Sequence, residues 1–248
     1  DVYKRQTEDG RFVKSEKFNK PTPAEIAYWG GYFFYHNRLH RNYQDDISLH
    51  YYLLASKDGI TIGKRYFKHE NNKEDYPFSP SGHNLYDNNS KLYYCRDFDN
   101  IVYQIHEDSV VPRFRINLPN PLPASMIEER PNEMSLLRSG YSLGITDIYE
   151  YGGLLFFRFV KDGYIWSCLY NVEESKQVYC AKRIKFLDSS LIDTIDGIYK
   201  DCFYSILTPE YLDYAFSENP LEDYPDLFKT YDVEGDNPVI AFYRAVVR

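Results

Sequence analysis

Gly140-Tyr141-Ser142-Leu143-Gly144 has the spacing of the G-x-S-x-G nucleophile elbow. That motif activates serine only where a strand-turn-helix bend lifts its hydroxyl to the top of an α/β sheet, beside an oxyanion hole. Here the order is reversed, because helical or loop-like residues precede the motif and a strand-like run begins at Ile145. Ser142 therefore reads as part of a glycine-bounded turn entering a strand. His36 and His40 form an H-x3-H pair, with His50 further on. On a helix that spacing puts two imidazoles on one face for a metal, but here it runs from a strand into a polar loop with Asn37, Asn42 and Asp45. With no H-E-x-x-H and no cysteine pair beside it, the reading is an exposed loop.

The four cysteines, Cys95, Cys168, Cys180 and Cys202, contain no C-x-x-C. If Val172 to Lys176 is a hairpin loop, Cys168 and Cys180 fall opposite one another, within disulfide reach in an oxidising compartment. Buried free thiols are the default expectation and the bridge is the alternative. Carboxylates are abundant, in Asp45-Asp46, Asp97, Asp99, Glu128-Glu129 and Glu173-Glu174. A glycosidase needs two at a defined separation, so abundance nominates no pair. Asp97-Phe98-Asp99-Asn100 lacks the length and distal glutamate of an EF-hand loop. Of the 26 tyrosines, most are read as core, with Tyr43, Tyr76 and Tyr86 as loop aromatics that could rim a binding site. No catalytic, cofactor-binding or metal-binding residue is assigned, and no cofactor is expected.

The elements that would carry these residues are strands. Short runs rich in Tyr, Phe, Ile, Val and Leu are separated by turn residues, with Asp58-Gly59, Asp99-Asn100 and Asp162-Gly163 each lying between two runs. The runs fall into a loose repeat. One unit has Tyr32 to His36, Leu49 to Ala55 and Ile60 to Phe67, the last carrying Lys64-Arg65. The next has Lys91 to Arg96, Ile101 to His106 and Pro112 to Leu118, with Arg113 and Arg115. A third has Leu154 to Phe159, Tyr164 to Asn171 and Gln177 to Phe186, with Lys182-Arg183. A fourth starts at Cys202 to Leu207 and ends with Pro238 to Val247. The period, about 50 to 60 residues, fits propeller blades with variable loops. Unbroken apolar runs such as Leu154 to Phe157 fit strands buried on both faces, whereas a sandwich, the second choice, calls for cleaner alternation. Helical composition occurs at Ala124 to Ser139, broken at Pro131, and at Thr208 to Ser217, where Thr208 can cap and Pro209 occupies the first turn.

A chain of 248 residues with 43% hydrophobic and 18% aromatic content can bury a core, and all-β proteins of this size are commonly one domain. No apolar run approaches the roughly 20 residues of a membrane-spanning helix. A net charge of -8 argues against binding a nucleic-acid backbone.

The hexapeptide Asp1 to Gln6 (DVYKRQ) is the translation of a transposon mosaic-end adapter used in sequencing libraries. It is set aside as an adapter scar, and the natural N-terminus, with any signal peptide or lipid anchor, is expected upstream of Thr7. The segments Ile101 to Leu118 (IVYQIHEDSVVPRFRINL) and Gly235 to Arg244 (GDNPVIAFYR) resemble a family of six-bladed β-propeller proteins widespread in Bacteroidetes. The resemblance runs over about residues 20 to 248 and rests on structural motifs; Asn117 to Pro123 (NLPNPLP) departs from it where a glycine turn is expected. It implies an all-β propeller with about four blades present of six, short helical insertions, and residues 7–248 as an N-terminally truncated domain. It also implies export to the periplasm or cell surface, often as a lipoprotein, and it carries over no catalytic residue.

The function expected on this basis is a non-enzymatic ligand-binding or scaffold propeller of the cell envelope, engaging a glycan, peptide or envelope protein. The alternative is a carbohydrate-active propeller enzyme with carboxylates near the central channel. Carboxylates of perturbed pKa clustered there would favour the enzyme and a neutral rim the binder. A truncated propeller should also expose blade faces and self-associate.

Overall fold

The computed structural model describes residues 2–6, 12–17, 23–37, 50–69, 82–129, 131–182, 184–186, 189–192, 195–218, 231–232, 235 and 237–244. His40, Asn42, Tyr43, Asp45-Asp46, Tyr76 and Arg183 lie outside them. The chain divides into two compact units, one of residues 1–77 and 105–111, the other of residues 78–104 and 112–248.

The fold is all-β, built from open antiparallel sheets whose strands follow one another in chain order. In the first unit, β1 (Val2–Gln6) pairs with β2 (Phe12–Lys17). A four-stranded sheet follows, made of β3 (Glu25–Trp29), β4 (Tyr32–His36), β5 (Tyr51–Ser56) and β6 (Lys64–Lys68). Gly30 and Gly31, at φ 56° and 79°, make the turn between β3 and β4, a conformation that side chains with a Cβ resist. In the β5–β6 turn, Asp58 Oδ1 accepts the backbone N–H groups of Ile60 and Thr61 at 2.8 and 2.7 Å. These bonds hold its carboxyl well below the usual carboxylate range.

The second unit holds most of the next sheet, β7 (Leu85–Asn88), β8 (Lys91–Cys95), β9 (Ile101–Ile105) and β10 (Val110–Arg115), whose β9–β10 turn falls in the first unit. Then come β11 (Ser142–Tyr151), β12 (Leu154–Lys161), β13 (Tyr164–Asn171) and β14 (Lys176–Ala181), again as one four-stranded sheet. β15 (Ile184–Phe186) pairs with β16 (Ser189–Ile192). The last sheet has β17 (Gly197–Tyr199), β18 (Cys202–Leu207) and β19 (Val239–Tyr243). Helices α1 (Ala124–Glu129) and α2 (Glu133–Leu137) flank Pro131, and α3 (Pro209–Glu218) follows Thr208, whose hydroxyl accepts the Tyr211 N–H at 3.3 Å. Among the described residues, no helix is long and apolar enough to cross a membrane.

The β12–β13 hairpin shows how sequence sets register. Asp162 and Gly163 both take left-handed φ, and pairing then runs unbroken from Lys161 opposite Tyr164 to Leu154 opposite Asn171. Leu154 to Phe157 are all buried, as a strand covered on both faces requires, and they join Tyr93, Val102, Ile148 and Phe203 in one core. β11 is buried at eight of its ten residues and carries two register shifts, near Gly144 and Asp147, both at positive φ. A Cβ on Gly144 would fall 2.8 Å from the Phe98 Cα, so this glycine lets the β8–β9 turn close against β11. The last sheet leaves Tyr199, Ile206, Ile240 and Phe242 about half exposed.

Candidate functional site

A cleft of about 430 Å³ opens in the second unit, where the first strands of three sheets, β7, β11 and β17, come together. Its size is that of a small-ligand pocket. β7 supplies Tyr86 and Asp87, β11 supplies Tyr149, the entry to β17 supplies Asp196 and Gly197, and β18 supplies Tyr204.

The walls are set by side-chain bonds between neighbouring sheets. Asn88, buried, donates to the carbonyls of Tyr86 and Ile148, each at 3.1 Å, and its Oδ1 accepts the Glu150 N–H at 2.6 Å. One amide side chain thus serves backbone groups of both β7 and β11, which a ladder would otherwise have to satisfy. The Tyr149 hydroxyl donates to the Asp196 carbonyl at 2.9 Å, tying β11 to the start of β17. Asp196 Oδ2 accepts the Ile206 N–H at 2.7 Å, and its own N–H donates to the Tyr204 carbonyl at 2.8 Å. The Tyr86 hydroxyl donates to the His83 carbonyl, while its ring meets Tyr149 edge to face at 6.1 Å.

Tyr204 reaches the cleft because residue 197 is glycine. A Cβ there would lie 2.6 Å from the Tyr204 Cε1 and hydroxyl oxygen. Burial raises the pKa of Asp87 above the ordinary carboxylate value, against the backbone N–H of Asn89, which lowers it. Burial, followed by the Asp147 and Asp196 carboxylates, pushes the Tyr149 phenol up.

Beside the cleft lies a second polar cluster. Glu150 accepts from Lys91 at 2.8 Å, from Arg113 at 3.1 Å and from the Tyr93 hydroxyl, and its side chain is 9% exposed. Burial alone would raise its pKa, but these three donors bring it below the usual glutamate value. All three protein donors are committed to one carboxylate, so the cluster fastens β8 and β10 to β11. Asp147 likewise accepts from Arg158 Nε at 2.6 Å and from Thr146 at 3.1 Å.

The other sequence candidates have structural placements. Ser142 is buried at the start of β11, its hydroxyl donating to the Pro119 carbonyl, its N–H to Asn120 and its carbonyl accepting from Leu122. The strand begins at Ser142 itself, three residues before the Ile145 expected, so the serine lies in a strand and not in a turn, and no helix follows it. His36 ends β4 and is buried, so it belongs to the sheet and not to an exposed loop. Asp97 accepts from Asn84 at 3.2 Å, and Asp99 pairs with Arg96 at 2.6 Å and caps the N–H groups of Asn100 and Ile101. Tyr86 lies in the cleft wall but in a buried strand, not an exposed loop. Cys168 and Cys180 are directly opposed and joined by a disulfide with S–S 2.13 Å, in place of the free thiols expected. Cys95 is buried and free, and burial raises its thiol pKa well above the ordinary value. Among the described residues, no group of three His, Cys, Asp or Glu side chains could hold a metal.

Asp196, Gly197 and Tyr204 were not singled out in the sequence. Their only local signal is Asp196-Gly197 itself, a turn dipeptide that is here the lip of a strand.

No curated protein matches the chain. A crystal structure of a Bacteroides fragilis protein named "Putative exported protein" is similar, with TM-score 0.71 and 16% identity, over 95% of this chain and 68% of that one. At that identity the likeness is one of fold. The match to the family described as a domain of unknown function, DUF4934, runs over residues 3–244, and the chain belongs to that family.

Proposed function

We propose that this chain is part of a β-propeller of the cell envelope and that its role is to bind a ligand, without catalysis, in the cleft between β7, β11 and β17. The observation that carries this reading is the convergence of three first strands on one cleft with tyrosine walls. First strands line the axis when blades are arranged radially. Within the second unit, Arg113 on β10 pairs with Glu150 on β11, so the fourth strand of one sheet meets the first strand of the next, as in neighbouring blades. A half-exposed apolar face on the last sheet is what an incomplete ring would present, and its self-association is readable by sedimentation.

Export is supported by the name of the Bacteroides fragilis neighbour and by the Cys168–Cys180 disulfide, which persists in oxidising compartments. The adapter reading of Asp1 to Gln6 stands as a proposal too, tested by reading the source DNA upstream of Thr7.

A carbohydrate-active enzyme is the second reading, favoured by Asp87 and Asp196 in the cleft and by the raised pKa of Asp87. Asp196 already receives the Ile206 N–H, which suits a structural carboxylate better than a second catalytic one. Chromogenic glycosides decide between them. Titration of the full chain with envelope glycans and peptides should raise its melting temperature with no glycoside turnover; turnover abolished by Asp87→Asn would establish the enzyme instead.

A further inference from the structure

Three donors of the cleft are already directed at backbone carbonyls. The hydroxyl protons of Tyr86 and Tyr149 are directed at the carbonyls of His83 and Asp196, and the Asn89 amide donates to the Lys200 carbonyl at 3.2 Å. The lining also carries the Asp87 and Asp196 carboxylates. No lysine or arginine is among the described residues lining the cleft, and the nearby Lys200 ammonium lies 5.2 Å from the Tyr199 ring centroid. Tyr204, brought in by the bare backbone of Gly197, adds a ring with an electronegative face.

We propose that the cleft takes a cationic nitrogen group, an ammonium or guanidinium, seated against the Tyr86, Tyr149 and Tyr204 walls and facing Asp87. This rests on the reading of the cleft as a binding site. A cation-bearing group suits a lining with two carboxylates and, among its described residues, no lysine or arginine, whereas an anion meets those two carboxylates. Asp87 is exposed at the cleft, and partial desolvation raises its pKa.

The test is calorimetric titration of the full chain. N-acetyl-lysine amide and N-acetyl-arginine amide represent basic peptide side chains, glucosamine an amino sugar, and glucose and glucuronate are the neutral and anionic controls. The expected result is saturable binding of at least one cationic probe, none of the controls, and a loss of about tenfold in affinity for Asp87→Asn, the scale of one charge-assisted bond. The stronger cationic arm identifies the source. Retained melting of Asp87→Asn confirms that the loss is local, and Tyr204→Leu should weaken the same probe if Asp87→Asn fails to fold. Equal binding of glucose and glucosamine overturns the cationic assignment and leaves the binding reading intact. Cationic binding unchanged in both variants places the ligand elsewhere and overturns the proposal. Silence from every probe also overturns it, and the glycan and peptide titration then separately decides the broader reading.

Discussion

Tyr204 and Gly197 are cross-strand partners on β18 and β17, and the phenol occupies the space that a side chain on residue 197 would need. The contact links local backbone to the cleft, because the smallest residue in the sheet sets the position of one of its walls. Gly197→Ala should therefore displace Tyr204, lower stability by about 1–3 kcal/mol through overpacking, and weaken any cleft ligand. Chemical denaturation should show the double variant Gly197→Ala with Tyr204→Ala to be less destabilised than the sum of the singles. Additive effects would mean the two residues do not press on one another.

Asn88 carries three backbone bonds at the β7–β11 junction. Asn88→Ala removes a partner from the Tyr86 and Ile148 carbonyls and from the Glu150 N–H, and each group left unsatisfied costs about 1–3 kcal/mol. Urea unfolding should register a large loss, and hydrogen exchange should quicken at the Glu150 amide. An unchanged Glu150 amide would show that water or a neighbour already serves it.

Glu150 sets a pH dependence of known sign. Its folded pKa is below the unfolded value, so its stabilising contribution is fully present above the unfolded pKa and is lost as pH falls through the folded one. Melting temperature should fall with acidification below the ordinary glutamate range. Glu150→Gln should be less stable at neutral pH and show a shallower acid decline, and parallel curves would remove Glu150 as a source of that slope.

The Cys168–Cys180 bridge closes a short loop across β13 and β14. Intact mass should rise by two hydrogens on reduction with no change in the alkylation of Cys95 until unfolding. Cys168→Ser with Cys180→Ser should lose about 2–3 kcal/mol on the loop-entropy scale.

Much of the sheet order could be read from turn chemistry, and the failures share a cause. β4, β13 and β18 are rich in aromatic and aliphatic residues, and they begin and end where the sequence predicts. The opening strands β3, β7 and β17 were not recognised, and β11 only as a strand-like run from Ile145. β7 (LYDN) contains turn-forming residues, β17 (GIY) is too short for a period to show, and β11 is interrupted by the bulges at Gly144 and Asp147. A signal was nevertheless present, since Gly30-Gly31 and Gly152-Gly153 at positive φ are two-residue hairpin turns that imply a strand on each side. The cleft is built from β7 and β17 together with β11, and with two of its three opening strands unrecognised it was invisible for the same reason. Tyr86 alone was nominated, as a loop residue, and its wall position follows from the strand it lies on.

The central claim is that ligands enter the cleft between β7, β11 and β17. Backbone NMR of the full chain during titration with envelope glycans and peptides tests it directly. The account predicts saturable shifts centred on Asp87, Asn89, Gly197 and Tyr204. Saturable shifts confined to the exposed strand surface around Tyr164 and Val178, with the cleft amides unmoved, would contradict it.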